Sequence, residues 1–253
     1  CSCNEPDDIT ITATKTVVCD GETTTLTTNN QADATTFDFT WFSGTDITAS
    51  SLQGPDGGKN SSLANAEPGT YTVLVRDIAN PTSCQKTQEI TIAENPKPTV
   101  TVSNPGTESY CFGETVTAPL FTFTGTAPFV FTYTDGVNSS VTATSTTATF
   151  SPTAPSAVGN YTYKVTALSD ANCTANASSL TSAASIEIKH RPTITTVETS
   201  GNVCAGNLLS VSCTAENATG ATYTWSGPNS YSASTANAVV ATSAMRDNSG
   251  VYT

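Results

Sequence analysis

Gly69-Thr70-Tyr71-Thr72-Val73-Leu74-Val75 reads as a β-strand, because from Tyr71 onward every second side chain (Tyr71, Val73, Val75) is large, apolar and able to face one core. Its Gly-x-Tyr opening recurs as Gly159-Asn160-Tyr161 and Gly250-Val251-Tyr252, 90 and 91 positions further on each time. Working outward, a second landmark keeps the same register: Cys19-Asp20-Gly21-Glu22, Cys111-Phe112-Gly113-Glu114 and Cys204-Ala205-Gly206-Asn207 stand 92 and 93 positions apart. An aromatic follows each of these cysteines, Trp41 and Tyr133 at 22 positions and Trp225 at 21. Cys84 and Cys173 then close the first two units, 65 and 62 positions after their opening cysteines. A period of about 90 residues is the size of one small β-sandwich, so the chain is expected to be a tandem array.

Composition agrees. The 253 residues include 50 Thr and 28 Ser but one Met and one His. Threonine favours the pleated, half-buried surface of a strand, and the shortage of Leu, Lys and Glu leaves little helix-forming material. Further alternating runs are Ile9-Thr10-Ile11-Thr12, Thr99-Val100-Thr101-Val102 and Phe129-Val130-Phe131-Thr132-Tyr133, separated by turn chemistry at Pro55-Asp56-Gly57-Gly58, Asp135-Gly136 and Ser226-Gly227-Pro228-Asn229. The fold class read from this is all-β. No apolar run approaches the ~20 residues of a membrane helix.

Short Pro-containing linkers at Glu94-Asn95-Pro96-Lys97-Pro98 and Lys189-His190-Arg191-Pro192 divide the chain into sandwiches at 1–97, 98–191 and 192–253. Linkers of this kind are semi-rigid, so the expected object is an extended rod, each sandwich about 35 Å long.

The chain holds eight cysteines without zinc-like Cys-x-x-Cys pairs, which implies disulfides and an oxidising, extracytoplasmic compartment. The repeat pattern pairs Cys19 with Cys84 and Cys111 with Cys173, each closing a loop worth about 4 kcal/mol in the chain-entropy model. Cys204 and Cys213 are left to find partners outside the chain. Cys1 and Cys3 belong either to a joint with an upstream domain or, for Cys1, to a lipidated start. Trp41, Tyr133, Trp225, Tyr71, Tyr161 and Tyr252 are expected as core aromatics.

Function classes are narrowed by charge and by what the motifs lack. Nine Lys and Arg against 21 Asp and Glu give a net charge of −12, a field that repels nucleic acid. The single His190 falls in a linker, no hydroxyl stands out as a nucleophile, and no phosphate-binding glycine loop is present, so an enzyme is not expected. Asp7, Asp8, Asp77 and Asp170 are oxygen-bearing residues near the joints. Without an Asp-x-Asp-x-Asp-Gly loop, no metal and no cofactor is expected.

Leu209-Ser210-Val211-Ser212-Cys213, Trp225 twelve residues on, and Asp247-Asn248-Ser249-Gly250-Val251-Tyr252 together resemble the immunoglobulin pattern of a B-strand Cys, a C-strand Trp and the approach to strand F. By that pattern the third sandwich stops before strands F and G are complete, to be finished by a longer chain or by a strand from a neighbour. The stretch from Ala221 to Ser232, with Ser249-Gly250-Val251-Tyr252-Thr253, resembles the Ig-like and PKD-like repeats of very large Bacteroidota surface proteins. These include adhesins and gliding-motility adhesins exported by type 9 secretion. The resemblance implies a non-enzymatic, disulfide-stabilised stalk at the bacterial cell surface, acting in adhesion or surface motility. Its partners would be further repeats of a longer chain, surface polysaccharide or other surface proteins. Two alternatives are a self-assembling filament or sheath subunit and a carbohydrate-binding accessory module of a secreted enzyme.

Overall fold

The computed structural model describes residues 4–29, 35–53, 61–103 and 107–253. The expected turn at Pro55–Gly58 and the cysteines Cys1 and Cys3 lie outside these residues. The chain falls into two compact units. Unit 1 comprises Cys1–Ser103, Leu120–Ser151 and Tyr163–Ala183, and unit 2 comprises Asn104–Pro119, Pro152–Thr162 and Ala184–Thr253.

In unit 1, β1 (Ile11–Ala13), β3 (Thr24–Thr28) and β5 (Ser62–Ala66) form one antiparallel sheet in the order β1-β3-β5. A second sheet has the order β2-β7-β6-β4, from β2 (Val17–Cys19), β7 (Gln85–Asn95), β6 (Gly69–Asp77) and β4 (Phe37–Ser43). Within it β2 runs parallel to the end of β7, setting Val17 opposite Ala93 and Cys19 opposite Asn95. The alternation read at Tyr71, Val73 and Val75 has its physical consequence here. All three are buried with Leu26, Phe39, Trp41 and Ile92, in a core to which both sheets contribute. Trp41 has no exposed surface.

The same layout recurs further along unit 1. The order β13-β10-β8 is built from β13 (Thr149–Phe150), β10 (Phe121–Thr124) and β8 (Thr99–Val102). Next, β11 (Phe129–Thr134) pairs with β12 (Val141–Ser145) and with residues 164–169 of β14 (Gly159–Ser169). Phe121, Phe123, Phe129 and Phe131 are all buried, and with Tyr133 and Phe150 they make a chain of stacked, tilted and edge-to-face ring contacts. Such contacts add about 0.5–1.5 kcal/mol per pair beyond the area removed from water.

In unit 2, β15 (Ala183–Lys189) runs parallel to β9 (Thr107–Cys111), with Lys189 opposite Cys111. An antiparallel sheet of order β16-β17-β20 follows, from β16 (Thr193–Thr199), β17 (Leu209–Glu216) and β20 (Asn237–Ala241). A short hairpin joins β18 (Trp225–Gly227) to β19 (Tyr231–Ala233). Val211, Cys213, Trp225 and Ala238 form the buried cluster, and the Trp225 indole donates to the Thr235 carbonyl at 2.9 Å.

The abundance of threonine has a structural use. Hydroxyls meet across neighbouring strands at Thr70 and Thr91, Thr99 and Thr124, and Thr132 and Thr142, at 2.7–3.1 Å. Cross-strand Thr pairs of this kind stabilise a sheet whose outer face is wet. The chain is all-β and made of tandem immunoglobulin-like β-sandwich domains.

Candidate functional site

Three tyrosines share one geometry. Tyr71 donates its hydroxyl to the Glu67 carbonyl at 2.8 Å, Tyr161 to Ala157 at 3.0 Å and Tyr252 to Asn248 at 2.7 Å. In every case the acceptor lies four residues back, which is the tyrosine corner of immunoglobulin-like sandwiches. The repeating Gly-x-Tyr therefore marks a recurring device, which at Tyr71 and Tyr161 pins the connection leading into a strand.

The opening cysteines also share a turn. Glu22 N–H donates to the Cys19 carbonyl at 2.7 Å, Glu114 N–H to that of Cys111 at 3.0 Å and Asn207 N–H to that of Cys204 at 3.1 Å. The third residue of each turn is glycine with positive φ, +74° at Gly21 and +87° at Gly113, a conformation a Cβ would disfavour.

The cysteines are connected differently from the sequence expectation. Cys19 is bonded to Cys173, 154 residues away, rather than to Cys84. Cys84 is itself disulfide-bonded, to a partner other than Cys19. Cys111, expected to pair with Cys173, keeps a free thiol, as do Cys204 and Cys213. The reason lies in β7. Cys84 immediately precedes it, while Cys19 lies opposite Asn95 at its far end. Eleven residues of strand span about 35 Å, whereas a disulfide needs Cα atoms within about 7 Å. The Cα atoms of Cys19 and Cys173 are 5.8 Å apart.

Asp170 builds the loop that presents Cys173. Its Oδ1 accepts the amides of Asn172 at 2.8 Å and Cys173 at 2.6 Å, and its Oδ2 accepts the amide of Thr126 at 2.8 Å. The Asp170 amide in turn donates to the Cys173 carbonyl at 2.9 Å. Partial burial of this carboxyl opposes its ionisation, but the amides of Thr126, Cys173 and Asn172 prevail and hold its pKa below the ordinary carboxylate value. Asp77 does the equivalent work in the first repeat. It accepts the amides of Ala79 and Asn4, and its own amide donates to the Cys84 carbonyl at 3.0 Å. The Ala79 amide is the main cause of a lowered pKa there.

The oxygens of these two aspartates are thus engaged by backbone amides. Asp7 and Asp8 are exposed. Among the described residues, no group of three or more His, Cys, Asp or Glu is placed to hold a metal ion. Beside the disulfide runs a groove of about 580 Å³ lined by Lys15, Glu22, Asn95, Lys97 and Asn172, where Lys15 and Glu22 pair at 3.3 Å. Lys97 reaches the Asn176 side chain at 3.1 Å, adding a polar contact three residues past Cys173.

The remaining expected residues are placed as follows. Trp41, Trp225, Tyr71 and Tyr161 are buried, whereas Tyr133 and Tyr252 are half-buried, Tyr252 against Tyr231 with ring centroids 5.6 Å apart. Cys213 is buried beside Trp225 and Cys204 is exposed. His190 is exposed. Among the described residues no helix is long and apolar enough to cross a membrane.

With this geometry in place, one segment matches a known family. Residues 94–194 match the family described as nucleoporin pom152-like, immunoglobulin-like domain. No curated protein matches the chain. Among solved structures, the chain is similar to the titin I-band fragment I67–I69 at 11% identity and a TM-score of 0.44, covering 89% of this chain and 80% of that one. Murine CEACAM1b is similar at 13% identity and a TM-score of 0.32, over 73% of this chain and all of that one. The fibronectin(III)-like modules of Clostridium thermocellum CbhA show 12% identity and a TM-score of 0.31, over 72% and 95%.

Proposed function

We propose that the chain is a non-enzymatic, load-bearing segment of a repetitive bacterial cell-surface protein, acting as a disulfide-tied stalk in adhesion or surface motility. Its sandwiches are assigned to 1–97, 98–191 and 192–253. The immunoglobulin-like match at 94–194 and the three tyrosine corners support that division. Extracellular placement is supported by the disulfides at Cys19, Cys173 and Cys84, which persist in an oxidising compartment. The partners proposed are further repeats of the same kind and components of the surface.

The observation that carries this reading is the Cys19–Cys173 bond. Tension applied along the chain passes from Cys19 directly to Cys173 and bypasses everything between them. The sandwich cores in that interval are shielded from extension, a property that serves a tether and has no role in catalysis. In a multi-repeat protein, many weak surface contacts would then add through avidity while the tether holds.

The test is made in the source organism. Antibody raised against this segment should label intact cells, and in-frame deletion of residues 4–253 should reduce attachment or surface movement while secreted hydrolytic activities stay at wild-type level. Labelling that requires cell lysis would overturn the assignment.

A further inference from the structure

We propose that Cys111 is one half of an interdomain disulfide whose other half is the closing cysteine of another immunoglobulin-like domain, presented on an Asp-x-x-Cys loop like Asp170–Cys173. This bond follows from the repeat structure and depends on the extracytoplasmic placement proposed above, not on a role in adhesion or motility.

Cys19 and Cys111 occupy the same place in their repeats by three separate criteria. Each ends a short strand that runs parallel to the last strand of its own repeat, Cys19 opposite Asn95 and Cys111 opposite Lys189. The next residue closes each ladder in the same way, Asp20 N–H donating to the Asn95 carbonyl at 3.0 Å and Phe112 N–H to the Lys189 carbonyl at 2.8 Å. Both cysteines then enter a glycine turn closed by a glutamate amide. Cys19 in this position is bonded to a cysteine 154 residues downstream, in the following repeat, whereas Cys111 is a free, half-buried thiol.

The surroundings of Cys111 define what would cover it. Phe112 is 52% exposed, an apolar surface next to the thiol. Arg191 occupies the position that Lys97 holds in the first repeat. It is exposed and uses Nε on the Phe112 carbonyl at 2.7 Å, leaving its terminal nitrogens to meet an acceptor. Lys97 meets such an acceptor in Asn176, three residues after Cys173. The partner is therefore a loop with an aspartate three residues before its cysteine and a side-chain oxygen about three residues after it. A second copy of this chain is a poor source, because Cys173 and Cys84 are already bonded. Cys204 shares the glycine turn but lies outside any strand, and Cys213 is buried inside β17, so neither repeats the Cys19 arrangement.

In forming the bond, Cys111 and its partner thiol each lose a proton, and the electron pair passes to a disulfide oxidant of the extracytoplasmic space. That oxidant's own S–S bond is reduced to two thiols by exchange through a mixed disulfide.

The test uses protein purified from its source without reductant, alkylated with iodoacetamide, then digested and mapped before and after reduction. The expected result is that Cys111 escapes alkylation and appears linked to a peptide whose cysteine follows an aspartate by three residues. Electrophoresis with and without reductant separates the two sources of that peptide. An unchanged chain mass places it in the same polypeptide, a released second band in another, and either outcome supports the proposal. Recovery of Cys111 as its carbamidomethyl derivative, or linked to Cys204, Cys213, a second Cys111 or a small thiol, would overturn it.

Discussion

Cys19 is joined to Cys173 at a Cα separation of 5.8 Å, although they stand 154 positions apart and the interval includes the core strands that bury Trp41 and the Phe121–Phe131 cluster. The bond connects the end of a strand laid beside Asn95 to a loop shaped by Asp170, and it replaces an expected closure of each sandwich on itself.

Under force, this connection should be measurable as hidden length. At 3.3–3.6 Å per extended residue, an interval of 154 residues withholds about 500 Å of contour from a chain pulled at its ends. Single-molecule extension in the presence of reductant should reveal this additional length, and the Cys19→Ser variant, which keeps the Cys84 disulfide, should already extend further than the wild type without reductant. Equal contour lengths in all three cases would mean that the bond does not form in the native protein.

The local devices were legible in the sequence, and the long-range covalent connection was not. Gly-x-Tyr and Cys-x-Gly recur because a tyrosine corner and a glycine turn are each made within about four residues, so their patterns survive whatever surrounds them. The equivalence of Cys84 with Cys173 was equally visible, and both prove to close a loop on an aspartate amide. What the repeat could not specify was whether an opening cysteine pairs within its own repeat or with the next, because both choices preserve the period. The answer depends on β2 lying parallel to the end of β7, a non-local placement that carries Cys19 to the end of the sheet opposite Cys84. The aspartates offered a signal in retrospect. Asp77 and Asp170 precede the closing cysteines in both repeats, and a side chain that accepts backbone amides is a common maker of turns.

Asp170 should make the loop acid-sensitive. Its pKa is lowered in the folded chain, so its contribution to stability is present above the unfolded carboxylate pKa of about 3.9 and is lost as pH falls through the lower folded value. The urea midpoint of unit 1 should drop more steeply between about pH 4 and pH 2 in the wild type than in Asp170→Asn, which cannot ionise. Parallel acid profiles for the two proteins would show that the carboxylate is not the group responsible.

Gly125 provides a second route to the same loop. Its φ of +120° is unfavourable to any side chain, and an added Cβ would come within 2.5 Å of Asp170 Oδ2 and 3.2 Å of Pro98. Gly125→Ala should therefore displace the carboxylate from the Thr126 amide and destabilise the protein by about 2 kcal/mol. Coupling is the decisive readout. In a double-mutant cycle with Asp170→Ala, the two losses should fall well short of additive, because both changes remove the Thr126–Asp170 hydrogen bond and the added Cβ no longer meets a carboxylate in the double variant.

The tyrosine corners offer the cleanest comparison between repeats, since one atom can be removed without altering packing. Tyr71→Phe and Tyr161→Phe each delete a hydroxyl that donates to a carbonyl four residues back, and both tyrosines are otherwise buried. A net loss of about 1 kcal/mol is expected for each, with the aromatic contacts retained. If the corner pins the entry into its strand, hydrogen exchange at the amides of residues 67–71 should quicken in Tyr71→Phe, and at residues 157–161 in Tyr161→Phe, with neither variant affecting the other's segment. Loss of stability without this local loosening would assign the hydroxyl a general packing role, and the repeat of the motif would then need another explanation.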